Sequence, residues 1–204
     1  MENLQTQEFT LRPLPTPQDE VKPTLSMHPH KFALWLFIVT VIMIFAAFTS
    51  AYIVKQAEGG WDYFELPPIF GINTIIIVLS SITLHWAYLS AKRDNLQQNR
   101  IALFVTTAIG VTFLIMQIIG WRELVYMGKF FTGGNASAAF VYVLTAVHGV
   151  HLVSAVIYLI VMVVKALGFR VHSKNMLNME MSTTYWHFLG GLWVYLYLFL
   201  LLNN

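Results

Sequence analysis

Five long apolar runs constrain this chain more than any other feature, at about 32 to 54, 69 to 91, 101 to 121, 137 to 164 and 183 to 202, each bounded by charges, prolines or glycines. Each approaches or exceeds the ~20 residues that carry a helix across ~30 Å of hydrocarbon. Lipid offers no hydrogen bonds, so a chain at that depth must pair its backbone within the segment, as a helix does. The predicted fold class is all-α: a polytopic membrane protein with five transmembrane helices in a bundle spanning 31–204. The fourth run is the longest, which predicts tilt or extension past the headgroups. Composition agrees, since charged residues make up 11% of the 204 positions and apolar and aromatic ones 57%, against roughly 25% charged in a soluble domain.

Residues 1–30 are polar and hold Pro13, Pro15, Pro17, Pro23 and Pro29, so they read as an extended tail that cannot bury a core of its own. The first apolar run begins near Phe32, not at the start, so the first span is expected to be retained and not cleaved as a signal. Basic residues set the orientation. Arg12, Lys22, Lys31, Lys92, Arg93, Arg100, Lys165, Arg170 and Lys174 fall on one side, and Lys55, Arg122 and Lys129 on the other. This predicts an N-terminus inside and a C-terminus outside. Asn135-Ala136-Ser137 matches a glycosylation sequon, but three residues in a short loop match by chance too readily to carry weight. The net charge of +2 forms no basic stripe, which argues against a nucleic-acid partner. Absence of cysteine excludes disulfides, thiolate-held clusters and haem attached through Cys-x-x-Cys-His.

Polar side chains inside the spans are the candidates for function, because imidazole nitrogens in hydrocarbon need partners. A 1.5 Å rise per residue converts position into depth. On this scale His85, His151 and His187, from the second, fourth and fifth spans, share an inner layer, with His187 in the first turn or so of its helix and Glu180 just below. His148 lies nearer mid-membrane, one turn from His151 on the same face. Arg122 and Glu123 belong to the outer rim. Ser80-Ser81, Gly149 and Gly190-Gly191 mark faces where helices can approach closely. Trp61, Trp121, Trp186 and Tyr126 lie near span ends, where interfacial anchoring explains them.

Several chemistries remain open for the histidine layer. It can be a hydrogen-bonded brace, a proton relay, or a zinc or copper site built from His85, His151, His187 and Glu180. Haem ligation is disfavoured for His148 with His151, since two residues on one helix face cannot clamp opposite faces of a macrocycle. There is no glycine-rich phosphate loop, and no soluble stretch is long enough for a nucleophile and its base, so a catalytic centre of its own is not expected. A haem-binding electron-transfer protein and a small stand-alone transporter are the alternatives from other classes. The lack of any charge between Lys31 and Lys55, and of a visible inverted repeat, speaks against the transporter.

Tyr185-Trp186-His187-Phe188 with Trp193, Leu196 and Tyr197, preceded by Thr145-Ala146-Val147-His148-Gly149-Val150-His151-Leu152, resembles the last two helices of subunit III of haem-copper terminal oxidases. Gln117 through Glu123, Asn73-Thr74, Trp86-Ala87 and Glu180 add to the match, which extends over all five spans and is similar to the short, five-helix form. The resemblance implies a non-redox accessory subunit of a proton-pumping cytochrome c or quinol oxidase in a bacterial inner membrane or equivalent respiratory membrane. It implies packing against subunit I and other oxidase subunits, bound phospholipid, support of proton uptake, and haem and copper held by the neighbours. His85, His151 and His187 would then order the inner end and buffer protons. The chain departs from the family in having Thr40-Val41-Ile42 where many members carry an embedded Glu, and Gly190 where many carry Asp.

Overall fold

The computed structural model describes residues 28–132, 136–168 and 176–203. Most of the expected tail, with Arg12 and Lys22, lies outside the described residues, as do Asn135, Arg170 and Lys174. Among the described residues, five helices are long and apolar enough to cross a membrane: α1 (Pro29–Ala57), α2 (Pro68–Lys92), α3 (Leu96–Tyr126), α4 (Ala136–Leu167) and α5 (Leu177–Asn203). Among the described residues there is no strand.

Local chemistry explains the ends. Prolines start α1 and α2, where the missing N–H is not needed. The Asn95 side chain accepts from the backbone N–H of Gln98 and caps α3. Each helix continues beyond its apolar run, and the largest extension at a single end is that of α5, which starts at Leu177, not near 183. Asn178, Glu180, Ser182, Thr183 and Thr184 lower the hydropathy of its first turns, yet Ser182 and Thr183 are buried there. His187 therefore lies roughly 15 Å along α5 instead of in its first turn.

α2, α3, α4 and α5 close a ring in which each packs on its two neighbours, and α1 lies outside it against α4 and α5. The ring interior is aromatic, with Trp193 packed between Phe70 and Phe113. α1 buries one narrow stripe, Ile38, Val41, Phe45, Thr49 and Tyr52, whose mixed three- and four-residue steps give the mean spacing of a left-handed helix seam. Its ends are also tied. Lys31 forms an ion pair with Glu180 at the start of α5, and Tyr52 Oη and Gln56 Nε2 donate to the Asn203 carbonyl at 3.2 and 2.7 Å. At the same end as Asn203, Lys129 pairs with Asp62 and stands over the Phe64 ring, joining the connections that flank α2 and α3.

Candidate functional site

α2 and α5 bring two of the candidate histidines together. The rings of His85 and His187 lie with centroids 6.1 Å apart, His85 exposed on the bundle surface and His187 half-buried. Beneath the pair the two helices nearly touch: a Cβ on Gly190 would stand 3.1 Å from Ser81 Oγ. Gly191, one residue on, faces open space, so only the first of the two glycines serves the contact.

His151 faces elsewhere. Its ring packs on Phe37 and Phe45 of α1, and Nδ1 is 2.8 Å from the Val147 carbonyl. A carbonyl only accepts, so this nitrogen carries the proton. Tyr185 continues the same edge, within 2.8 Å of Ser154 Oγ and donating to the His151 carbonyl at 3.2 Å. One turn away, His148 is fully buried among Phe45, Phe113 and Trp193, with ring centroids 6.4, 6.3 and 5.1 Å away. Among the described residues neither of its ring nitrogens has a hydrogen-bond partner. Glu180 pairs with Lys31 at the bundle end, and Glu123 and Arg122 lie at the far end of α3. Among the described residues, no three His, Cys, Asp or Glu side chains assemble into a group able to hold a metal ion.

Two tryptophans of the motifs have inward roles. Trp186 is 1% exposed, not an interfacial anchor, and its Nε1 donates to Ser80 Oγ at 3.0 Å. Trp193 Nε1 donates to Thr74 Oγ1 at 3.1 Å. Phe188 is partly buried against the core.

Further polar contacts escape a reading centred on histidine. Thr83 and Thr106 hydroxyls meet at 2.8 Å, Asn99 Nδ2 donates to the Ala87 carbonyl at 2.9 Å, and Trp121 Nε1 donates to Thr145 Oγ1 at 2.9 Å. Arg100 Nε donates to the Ala166 carbonyl at 2.9 Å and so satisfies an orphan group at the end of α4. The signal of Thr83, Thr106 and Thr145 in the sequence is a hydroxyl inside an apolar run, whereas Asn99 and Arg100 precede theirs, and sequence position alone does not tell which neighbouring helix each meets.

A bundle of five membrane-crossing helices, braced by buried hydroxyl, amide and indole contacts and carrying a histidine pair on its surface, is a polytopic membrane protein of the helical-bundle class. The family model for cytochrome c oxidase subunit III matches residues 22–203, and the chain belongs to that family. Cytochrome c oxidase subunit 3 of Hippopotamus amphibius is 26% identical over 178 residues, covering 82% of this chain and 67% of the relative. Probable cytochrome c oxidase subunit 3 of Rickettsia bellii is 28% identical over 213 aligned positions, covering 89% and 74%. The sheep (Ovis aries) protein of the same name is 26% identical over 179, covering 82% and 67%. The role that accompanies this membership is that of an oxidase subunit III.

Proposed function

We propose that the chain is a non-redox accessory subunit of a proton-pumping haem-copper terminal oxidase in a respiratory membrane, packed against subunit I and other oxidase subunits and holding phospholipid. One observation carries the reading: His85 is exposed within a membrane-crossing helix, beside His187. Imidazole left facing hydrocarbon is costly, so such a residue belongs against another protein surface. Ile82, Trp86 and Leu89 of the same helix are exposed around it and supply the apolar remainder of a docking face.

The loop charges support an inside location for the end that holds Lys31, Lys92 and Glu180, with Asn203 outside. In that orientation His85 and His187 stand toward the side from which protons are drawn, where they brace α2 against α5 and buffer protons. His151 and Glu180 serve structure through their bonds to Val147 and Lys31, His148 fills the aromatic interior, and Arg122 with Glu123 forms part of the outer rim. Haem and copper belong to the neighbouring subunits.

The test is an inventory of haem, copper and subunits in the complex recovered from native membranes after mild solubilisation. Recovery with a partner that holds haem and copper is expected. Recovery alone, or a Soret band with two-histidine character on the isolated chain, overturns the reading.

A further inference from the structure

We propose that His85 and His187 form a helix-bridging site for one divalent transition-metal ion of the zinc type, which takes one imidazole nitrogen from α2 and one from α5 and completes its coordination with water. Zinc binding here deepens the proposed function of the pair and rests on that reading only in placing the two helices in a bilayer. Spacing, rigidity and free donor atoms all single out the same two side chains.

Zinc holds an imidazole nitrogen at about 2.0–2.1 Å, and each ring centre lies about 1 Å behind its nitrogen, so two imidazoles on one ion have centroids roughly 5–6 Å apart. The rings of His85 and His187 are 6.1 Å apart and inclined at 52°. Closure on an ion therefore requires a shift of less than about 1 Å, within the play of a side chain in one rotamer.

The backbones that carry the two rings are already fixed. Ser81 lies one helical turn from His85 and Gly190 about one turn from His187, and there a Cβ on Gly190 would stand 3.1 Å from Ser81 Oγ. Beside that contact, Trp186 Nε1 donates to Ser80 Oγ at 3.0 Å. Donors set in place before the ion arrives lose little freedom when it binds.

Among the described residues, neither ring is engaged in a hydrogen bond. The other two histidines of the spans differ: His151 Nδ1 is committed to the Val147 carbonyl at 2.8 Å, and His148 is fully buried against Trp193. His85 is exposed and precedes the α2 end at Lys92 by roughly 10 Å, so an ion reaches it from the headgroup layer without passing the bilayer midplane. Among the described residues no third His, Cys, Asp or Glu joins the pair. Two protein donors leave coordination positions open to water, which makes the ion an exchangeable ligand instead of a resident cofactor. Imidazole suits zinc, copper and nickel, whereas magnesium and calcium prefer oxygen donors.

The full chain with His28→Gln, His30→Gln and His172→Gln, which leaves histidine only within the apolar runs, is reconstituted in phosphatidylcholine nanodiscs, and bound Zn²⁺ is measured by equilibrium dialysis. One ion per chain is expected. His85→Gln and His187→Gln should each weaken binding about 100-fold, the advantage of two linked donors over one, and combining them should add nothing further. His148→Leu should leave binding unchanged, and Mg²⁺ should not compete. Because the ion joins two helices of the folded chain, Zn²⁺ at about a hundred times its dissociation constant should also shift the unfolding equilibrium about 100-fold toward the native state. That shift should vanish in His85→Gln. His85 is exposed, so this variant keeps the fold even where His187→Gln disturbs it. Unchanged affinity in His85→Gln overturns the proposal as adventitious binding elsewhere, and binding without stabilisation overturns the bridge. Neither result bears on the haem and copper inventory, which tests the oxidase reading separately.

Discussion

Gly110 shows how tightly one residue can be specified inside this bundle. A Cβ at that position would stand 2.6 Å from the Cη2 atom of Trp186 and 3.3 Å from Val156 Cγ2. The indole cannot simply swing aside, because its Nε1 is held by Ser80. Gly110→Val is therefore expected to cost about 1–3 kcal/mol through overpacking, whereas Gly191→Ala meets open space and should be neutral or gain up to about 1 kcal/mol in helix propensity. Equilibrium unfolding in mixed micelles compares the two, and equal effects would contradict the packing. The adjacent histidines of α4 should also separate. His148→Leu keeps a similar volume and removes two buried nitrogens that have no partner among the described residues, an arrangement that costs roughly 1–3 kcal/mol, so the variant should be at least as stable as wild type. His151→Leu loses the bond to Val147 and should fall by about 1 kcal/mol. The same unfolding experiment decides, and a destabilised His148→Leu would refute the first expectation.

At the scale of elements, α1 depends on its buried stripe more than on its ion pair. The Lys31 and Glu180 side chains are 39% and 35% exposed, and a pair so open contributes about 0–1 kcal/mol. Phe45 is 1% exposed and touches both His148 and His151. Lipid solvates an apolar side chain as well as protein does, so Phe45→Ala loses packing more than transfer energy, about 2 kcal/mol from the cavity. Limited proteolysis at the connection after α1 should thus be accelerated by Phe45→Ala and little changed by Glu180→Gln, and the reverse order would show that the ion pair holds the helix. The existence of α1 to α5 was legible because length and hydropathy are properties of single segments. Their neighbours were not, since a helix that is apolar all round gives no periodicity to mark its buried face. Hence Ser80 and Trp186, 106 positions apart, declare their contact only in three dimensions. The start of α5 was displaced for a related reason: its Ser and Thr residues lower the local hydropathy while fitting a helix packed against protein.

In the whole molecule, a closed ring of four helices pairs many of its polar side chains internally, and the histidine pair at α2 and α5 stands at its surface. Sequence position located both histidines in their spans. That they form a pair and that His151 turns toward α1 follow from helix rotation, which neither charge nor depth encodes. If the pair is a docking face, His187→Ala should weaken assembly while leaving the chain folded. Loss of one hydrogen bond of about 1 kcal/mol is a roughly fivefold shift in an association equilibrium. Recovery of the chain with its haem- and copper-bearing partners, measured against total chain in the membrane, should fall accordingly, and His187→Gln should restore part of it by supplying an amide. Proton buffering requires more than docking, because imidazole changes charge near neutral pH and an amide does not. A His85→Gln, His187→Gln double variant that assembles normally should therefore lose oxidase turnover at a lower pH than wild type as the medium on that side is made alkaline. Coincident pH profiles would leave the pair a brace and docking contact alone, and a profile shifted without loss of assembly would assign it the proton.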